Sequence, residues 1–189
     1  MSYQVPVGLS NKHLHLNAAD LETLFGKGYQ LTPSKPLKQP GQFAAEEKVD
    51  IVGPKGTLKG VRILGPVRPE TQVELAMTDA RTIGVAAPVK ESGKLAGTPG
   101  VKLVGPAGEV EIDHGVIVAL RHVHLSPEQA KEAGVADKQI VSIRCGGERG
   151  LIFNNVLVRS GEGHEKEIHF DTDEGNAAGL SNNDLVEII

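Results

Sequence analysis

The feature that most constrains this chain is a repeated tetrapeptide. His13-Leu14-His15-Leu16 returns as His122-Val123-His124-Leu125, 109 positions later. A β-like run precedes each copy, at residues 5–10 and 116–120, and a short helical signal ending in glycine follows each. Further on, residues 71–75 align with 166–170 at an offset of 95, which also sets Gly84-Val85 on Gly179-Leu180. The smaller offset fits an insertion in the first copy, within its Pro-rich stretch. A chain that repeats itself this way reads as two related folding units.

Strand signals set the class. Short runs rich in Val, Ile and Leu fall at 49–52, 58–64, 72–76, 101–104, 110–112, 116–120, 140–143, 150–158 and 167–170, each bounded by Gly or Pro. A spacing of about ten residues between turn signals predicts a barrel or sandwich. The tetrads Gly53-Pro54-Lys55-Gly56 and Gly105-Pro106-Ala107-Gly108 are turn chemistry, and 23 glycines in 189 residues supply many more tight turns. Helices are few. Asn17 caps a short one that ends at Gly26. Ser126-Pro127-Glu128 starts another that ends at Gly134. Residues 32–47, with Pro33, Pro36, Pro40 and Gly41, read as a long loop, and 86–100 as a second. The expectation is a mainly β protein of two β-barrel domains related by internal duplication, capped by short α-helices.

Composition narrows the function classes. A net charge of -4 argues against nucleic acid as the main partner, and 3% aromatic residues against a base-stacking platform. No apolar run approaches the roughly 20 residues of a membrane-spanning helix, and residues 1–16 lack the pattern of a signal peptide. One cysteine excludes an intrachain disulfide framework and fits a reducing cytoplasm.

The repeated His-x-His carries the chemistry. Side chains at i and i+2 of a strand point to one face, so two imidazoles can grip one metal ion. A single such pair reads as readily as two exposed strand-end histidines; two copies at matched positions favour metal. The 95-residue offset sets Glu74 on His169, giving His13, His15 and Glu74 for one ion and His122, His124 and His169 for another. Three protein ligands leave an open position, the catalytic pattern for zinc. Asp171, on the strand face of His169, is a rival ligand or outer partner. Arg68, six residues before Glu74, is either a solvated surface residue or a bidentate partner for phosphate or carboxylate. Cys145 reads as a small core hydrophobe, and His114 and His164 as surface residues. There is no glycine-rich phosphate loop, nucleophile elbow or dinucleotide fingerprint. The residues alone point to a dinuclear metal site between two duplicated units, handling an oxyanion, with hydrolysis and acyl or phosphoryl transfer both open.

The motifs Ser10-Asn11-Lys12-His13-Leu14-His15-Leu16, Pro40-Gly41-Gln42-Phe43-Ala44-Ala45-Glu46-Glu47, Leu64-Gly65-Pro66-Val67-Arg68, Thr71-Gln72-Val73-Glu74, Arg121-His122-Val123-His124-Leu125 and Arg149-Gly150-Leu151-Ile152-Phe153-Asn154-Asn155-Val156 resemble the PduL-type phosphate acyltransferases (phosphotransacylases) over nearly the whole chain. The resemblance implies exchange of a short acyl group, acetyl or propanoyl, between coenzyme A and inorganic phosphate. It implies two β-barrels with two zinc ions at their interface. The first strand, residues 2–11, joins residues 120–189 in one barrel, and residues 12–119 make the other. The repeat by itself would have suggested a cut near residue 115.

Carried over residue by residue, the resemblance gives one Zn2+ to His13, His15 and Glu74, with a fourth position open to the coenzyme A sulfur. It gives the other to His122, His124 and His169, completed by water. Arg68 matches the phosphate-binding arginine. Ser10, Lys35, Arg62, Leu64, His169 and Asn176 match positions that contact coenzyme A. Lys12 stands where the family has Arg, and Arg81 where an aromatic near the adenine is usual. Phosphate held by Arg68 and zinc would attack the thioester carbonyl directly, with no acyl-enzyme and no role for Cys145. The few residues before the first motif have no room for the amphipathic helix that directs some members into bacterial microcompartments, so a cytoplasmic enzyme is expected. Homo-oligomerisation is left open. Two rivals stand: a dinuclear zinc hydrolase of a thioester or phosphoester, and a structural zinc-binding module of a microcompartment.

Overall fold

The structure is a computed structural model and describes residues 3–189. Ser2, where the resemblance starts the first strand, lies outside the described residues. In chain order the elements are β1 (Tyr3–Ser10), β2 (His13–His15), α1 (Ala18–Phe25), β3 (Pro33–Pro36), β4 (Phe43–Val52), β5 (Thr57–Gly65), β6 (Gln72–Glu74) and α2 (Met77–Ile83). They continue with β7 (Val89–Lys90), β8 (Val101–Val104), β9 (Glu109–Ile112), β10 (Val116–Ala119), β11 (His122–Leu125), α3 (Pro127–Ala133), β12 (Ile140–Cys145), β13 (Leu151–Ser160), β14 (Glu167–Asp171), α4 (Thr172–Ala178) and β15 (Leu185–Ile188).

The protein is mainly β, as its strand signals predict, and its contacts divide it into two units. One is the chain up to Asn11 together with Leu120–Ile189; the other is Lys12–Ala119. The first unit holds a closed barrel in the order β1-β14-β11-β13-β12-β15. The second holds a nine-stranded sheet, curled into a half-barrel, in the order β7-β10-β6-β2-β5-β4-β8-β9, with β3 on β4.

Alternation builds both cores. In β12, Val141, Ile143 and Cys145 are buried while their neighbours are not; in β14, Ile168 and Phe170 face inward and Glu167, His169 and Asp171 lie on the other face. The closed barrel packs Val5, Val7, Val123, Leu125, Ile143, Val158, Ile168 and Phe170, with the Phe153 and Phe170 ring centroids 4.6 Å apart. The other unit packs Leu14, Leu16, Leu24, Ile51, Ile63, Val73, Ile83 and Leu103.

Capping chemistry starts the helices. The Asn17 side chain accepts from the Asp20 amide, Ser126 forms a capping box with Gln129, and Asp171 forms one with Glu174. Gly84, Gly134 and Gly179 close α2, α3 and α4 in the left-handed conformation. The two Gly-Pro tetrads seat on helix ends: the Lys55 amide donates to the Ile83 carbonyl and the Ala107 amide to the Leu24 carbonyl, both at 2.9 Å.

The duplication is visible in the ladders. β2 runs antiparallel to β6 with His13 opposite Glu74; β11 runs antiparallel to β14 with His122 opposite His169. β2 pairs parallel with β5, and β11 parallel with β13. The leading strands are exchanged. β1 enters β2 but pairs parallel with β14, Gly8 opposite His169; β10 enters β11 but pairs parallel with β6, Ile117 opposite Glu74. Each unit therefore takes the strand that leads into the other unit's His-x-His.

Two expected loops are corrected. Within residues 32–47 the chain forms β3 and the start of β4, paired antiparallel. β3 is exposed throughout and lies off the main strand order, and an edge strand tolerates proline because its outer N–H groups need no partner. Within residues 86–100, β7 pairs with β10. Among the described residues no helix is long and apolar enough to cross a membrane.

Candidate functional site

β2 and β11 are short strands buried along their whole length. Leu14 and Val123 enter the cores, which turns the histidines on either side to the opposite face. The antiparallel neighbour then brings in the third group. His13, His15 and Glu74 offer donor atoms that all lie within 4.8 Å of one another, and so do His122, His124 and His169. Both sets were expected from the repeat, and the structure brings each together within its own unit.

In the first set, His13 Nε2 lies 3.4 Å from Glu74 Oε2. His15 Nδ1 lies 3.0 Å from the Leu64 carbonyl, which can only accept, so Nδ1 carries the proton and Nε2 keeps its lone pair. Glu74 Oε1 accepts from Gln72 Nε2 at 2.5 Å and from the Ser92 hydroxyl at 3.1 Å. Ser92 Oγ also receives Gln72 Nε2 at 2.8 Å and an Arg68 guanidinium nitrogen at 3.3 Å. Arg68 is thus tied to this set through one hydroxyl. Burial, then the neighbouring His13 and Arg68, pushes His15 down to about 3, so it is neutral at pH 7.

In the second set, His122 Nδ1 donates to the Leu120 carbonyl at 2.8 Å, and His169 Nε2 lies 2.7 Å from Glu167 Oε2. With those outer nitrogens protonated, neutral rings leave lone pairs on His122 Nε2 and His169 Nδ1, which lie 3.2 Å apart. His124 Nδ1 is buried with no hydrogen-bond partner among the described residues. Burial, then His122 and His169, pushes His124 down to about 2. Converging lone pairs and an orphaned nitrogen, on two buried histidines and one partly buried one, are the arrangement a cation resolves. Nitrogen with one carboxylate in the first set, and three nitrogens in the second, suit zinc-like metals better than magnesium or calcium.

The other expected residues are placed as follows. Arg62 is half-buried opposite His13 across β2 and β5 and donates to the Ala45 carbonyl. Leu64 supplies the carbonyl that His15 meets. Lys35 is exposed on β3. Ser10 ends β1 opposite Asp171, and Asn176 is exposed on α4. Lys12 pairs with Asp79 at 2.8 Å, and Arg81 is exposed on α2. Asp171 belongs to neither donor set, so it is not the rival ligand; its Oδ1 accepts from the Glu174 amide as the N-cap of α4. His164 is also corrected. It is half-buried, its Nδ1 donates to the Arg159 carbonyl at 2.9 Å, and its ring stands edge-on to His124 at 4.8 Å. His114 is exposed beside Asp113 and Glu70, and Cys145 is a buried core residue. Sequence reasoning passed over Gln72, Ser92 and Glu167. Gln72 and Glu167 sit two positions before Glu74 and His169, a spacing that was legible.

Comparison with known proteins decides the family. Residues 6–181 match the family model described as phosphate propanoyltransferase. The chain belongs to the phosphate propanoyltransferase family. A phosphate propanoyltransferase of Thermotoga maritima is 55% identical over 184 residues, 97% of this chain and 88% of that protein. One from Salmonella typhimurium is 53% identical over 179 residues, 94% of this chain and 85% of that protein. One from Rhodopseudomonas palustris is 49% identical over 186 residues, 98% and 82% of the two. The family is one of acyltransferases, and its match spans both donor sets and Arg68.

Proposed function

We propose that this phosphate propanoyltransferase family member moves a short acyl group, propanoyl or acetyl, between coenzyme A and inorganic phosphate. The observation that carries the reading is the tie from Arg68 through Ser92 to Glu74, because it sets an anion-binding guanidinium on the same hydrogen-bonded chain as a candidate metal ligand. The guanidinium holds phosphate bidentately. A phosphate oxygen attacks the thioester carbonyl carbon; the new C–O bond forms, the C–S bond breaks, and coenzyme A leaves as its thiolate.

His13, His15 and Glu74 would hold one zinc ion and His122, His124 and His169 the other. When bound, these ions supply positive charge for a developing oxyanion and for a leaving thiolate. The chain's own residues do the rest. Leu64 and Leu120 carbonyls hold His15 and His122 in the tautomer that leaves Nε2 available. Ser10, Lys35, Arg62, Leu64, His169 and Asn176 contact coenzyme A. No side chain is acylated: Cys145 is buried in the barrel core, and burial pushes its thiol up to about 11. A single buried cysteine also suits a reducing compartment, and the cytoplasm is where we place the reaction.

The reverse direction tests the reading. Zinc-loaded protein given propanoyl phosphate is expected to release phosphate only when coenzyme A is present, with one thioester formed per phosphate. Phosphate release without coenzyme A would make the chain a hydrolase.

A further inference from the structure

We propose that Glu167 is the positioning residue of the second donor set, fixing the tautomer of His169 and supplying the negative charge that Glu74 supplies in the first. The inference rests on the metal reading given above and adds a residue to it.

The argument starts from the repeat. Glu167 precedes His169 by two, as Gln72 precedes Glu74, and the 95-residue offset superposes the pairs. Both sit opposite the second histidine of their motif: Gln72 opposite His15, and Glu167 opposite His124. Each touches the third donor of its set. Gln72 Nε2 donates to the Glu74 carboxylate at 2.5 Å, and the Glu167 carboxylate receives His169 Nε2 at 2.7 Å. The partner's chemistry changes with the donor's. A carboxylate donor needs an N–H beside it, and the amide provides one. An imidazole donor needs an acceptor on its outer nitrogen, and the carboxylate provides it.

Charge follows the same logic. As metal ligands, two neutral imidazoles and Glu74 bring one negative charge to the first set. Three neutral imidazoles bring none to the second, and Glu167 restores one from the outer position. A carboxylate behind a ligating imidazole raises its basicity as well as orienting it. The site is built for this contact. The Glu167 side chain is 13% exposed. Opposite His169, β1 carries Gly8, where an added Cβ would lie 2.7 Å from Glu167 Cδ. Glycine there leaves room for the carboxylate. Asp171, the carboxylate on the other side of His169, caps α4 instead.

The test is zinc affinity, read by competition with a chromophoric chelator in protein stripped of metal and reloaded. In a His13→Ala background, which isolates the second set, Glu167→Ala is expected to weaken zinc about 10–100-fold. Glu167→Gln, which keeps an acceptor but loses the charge, should fall between. In a His122→Ala background, Glu167→Ala should leave zinc affinity unchanged. Gly8→Ala, which displaces the carboxylate without removing it, should reproduce the loss at the second set and decides the matter if Glu167→Ala does not fold. Unchanged affinity in the His13→Ala background for both Glu167→Ala and Gly8→Ala would overturn the role of Glu167. Absence of any zinc uptake by the unmutated chain would instead overturn the metal reading on which it rests.

Discussion

Arg68 donates to the hydroxyl of Ser92 across 3.3 Å, and that hydroxyl donates in turn to Glu74 at 3.1 Å. The guanidinium that would bind phosphate is therefore aimed by a residue that also holds a candidate metal ligand. Ser92→Ala removes this joint without altering charge. Steady-state kinetics should show the phosphate KM rising about 3–10-fold, the size of one ordinary lost hydrogen bond, with a smaller change in the acyl-CoA KM. Equal effects on both substrates would detach Ser92 from Arg68.

The donor sets should be separable. Elemental analysis is expected to find two zinc ions per unmutated chain, one in His13→Ala and one in His122→Ala. Each variant should lose roughly 100-fold or more in acyl transfer, because ligands acting as a unit are not additive. Two zinc ions retained in either variant would contradict the assignment.

Leu14 is fully buried between His13 and His15 and anchors β2 from the core side. Leu14→Ala leaves a cavity and should cost about 2–5 kcal/mol in denaturant unfolding. A cost below about 1 kcal/mol would mean that β2 is held by its ladders alone.

Glu174 carries a pH dependence whose sign can be worked out. Burial pushes its carboxyl up to about 7, against the pull of Arg121, which lies 2.7 Å away. Between the ordinary carboxylate range and pH 7 the native state then holds a proton that the unfolded chain has lost. This contribution to stability is full at low pH and is lost as pH rises through 7. Glu174→Gln has no such proton, so it should gain on the unmutated protein by about 1–3 kcal/mol between pH 4.5 and 8. A difference that stays constant over that range would mean that Arg121 compensates the burial fully.

Much of this was legible in the sequence because it is local or repeated. Asn17, Ser126 and the closing glycines mark helix ends through chemistry confined to a few residues, and the offset of 95 pairs Glu74 with His169 without any structure. Three kinds of feature were hidden. β3 was lost because its prolines resemble a loop until an edge position excuses them. The parallel pairing of β1 with β14 joins residues about 160 apart, and no periodicity announces it. Outer partners such as Ser92 and His164 lie in turns, whose side-chain directions depend on the surrounding fold. Glu167 shows the limit from the other side: its i−2 spacing was available, but so was Asp171 at i+2, and only the cap of α4 separates them.

The most direct measurement is propanoyl-CoA consumption by the zinc-loaded protein with and without inorganic phosphate, following propanoyl phosphate, free coenzyme A and propanoate together. The expected result is consumption that depends on phosphate, with one propanoyl phosphate for each coenzyme A released. Loss of the thioester without phosphate, yielding propanoate, would contradict the account.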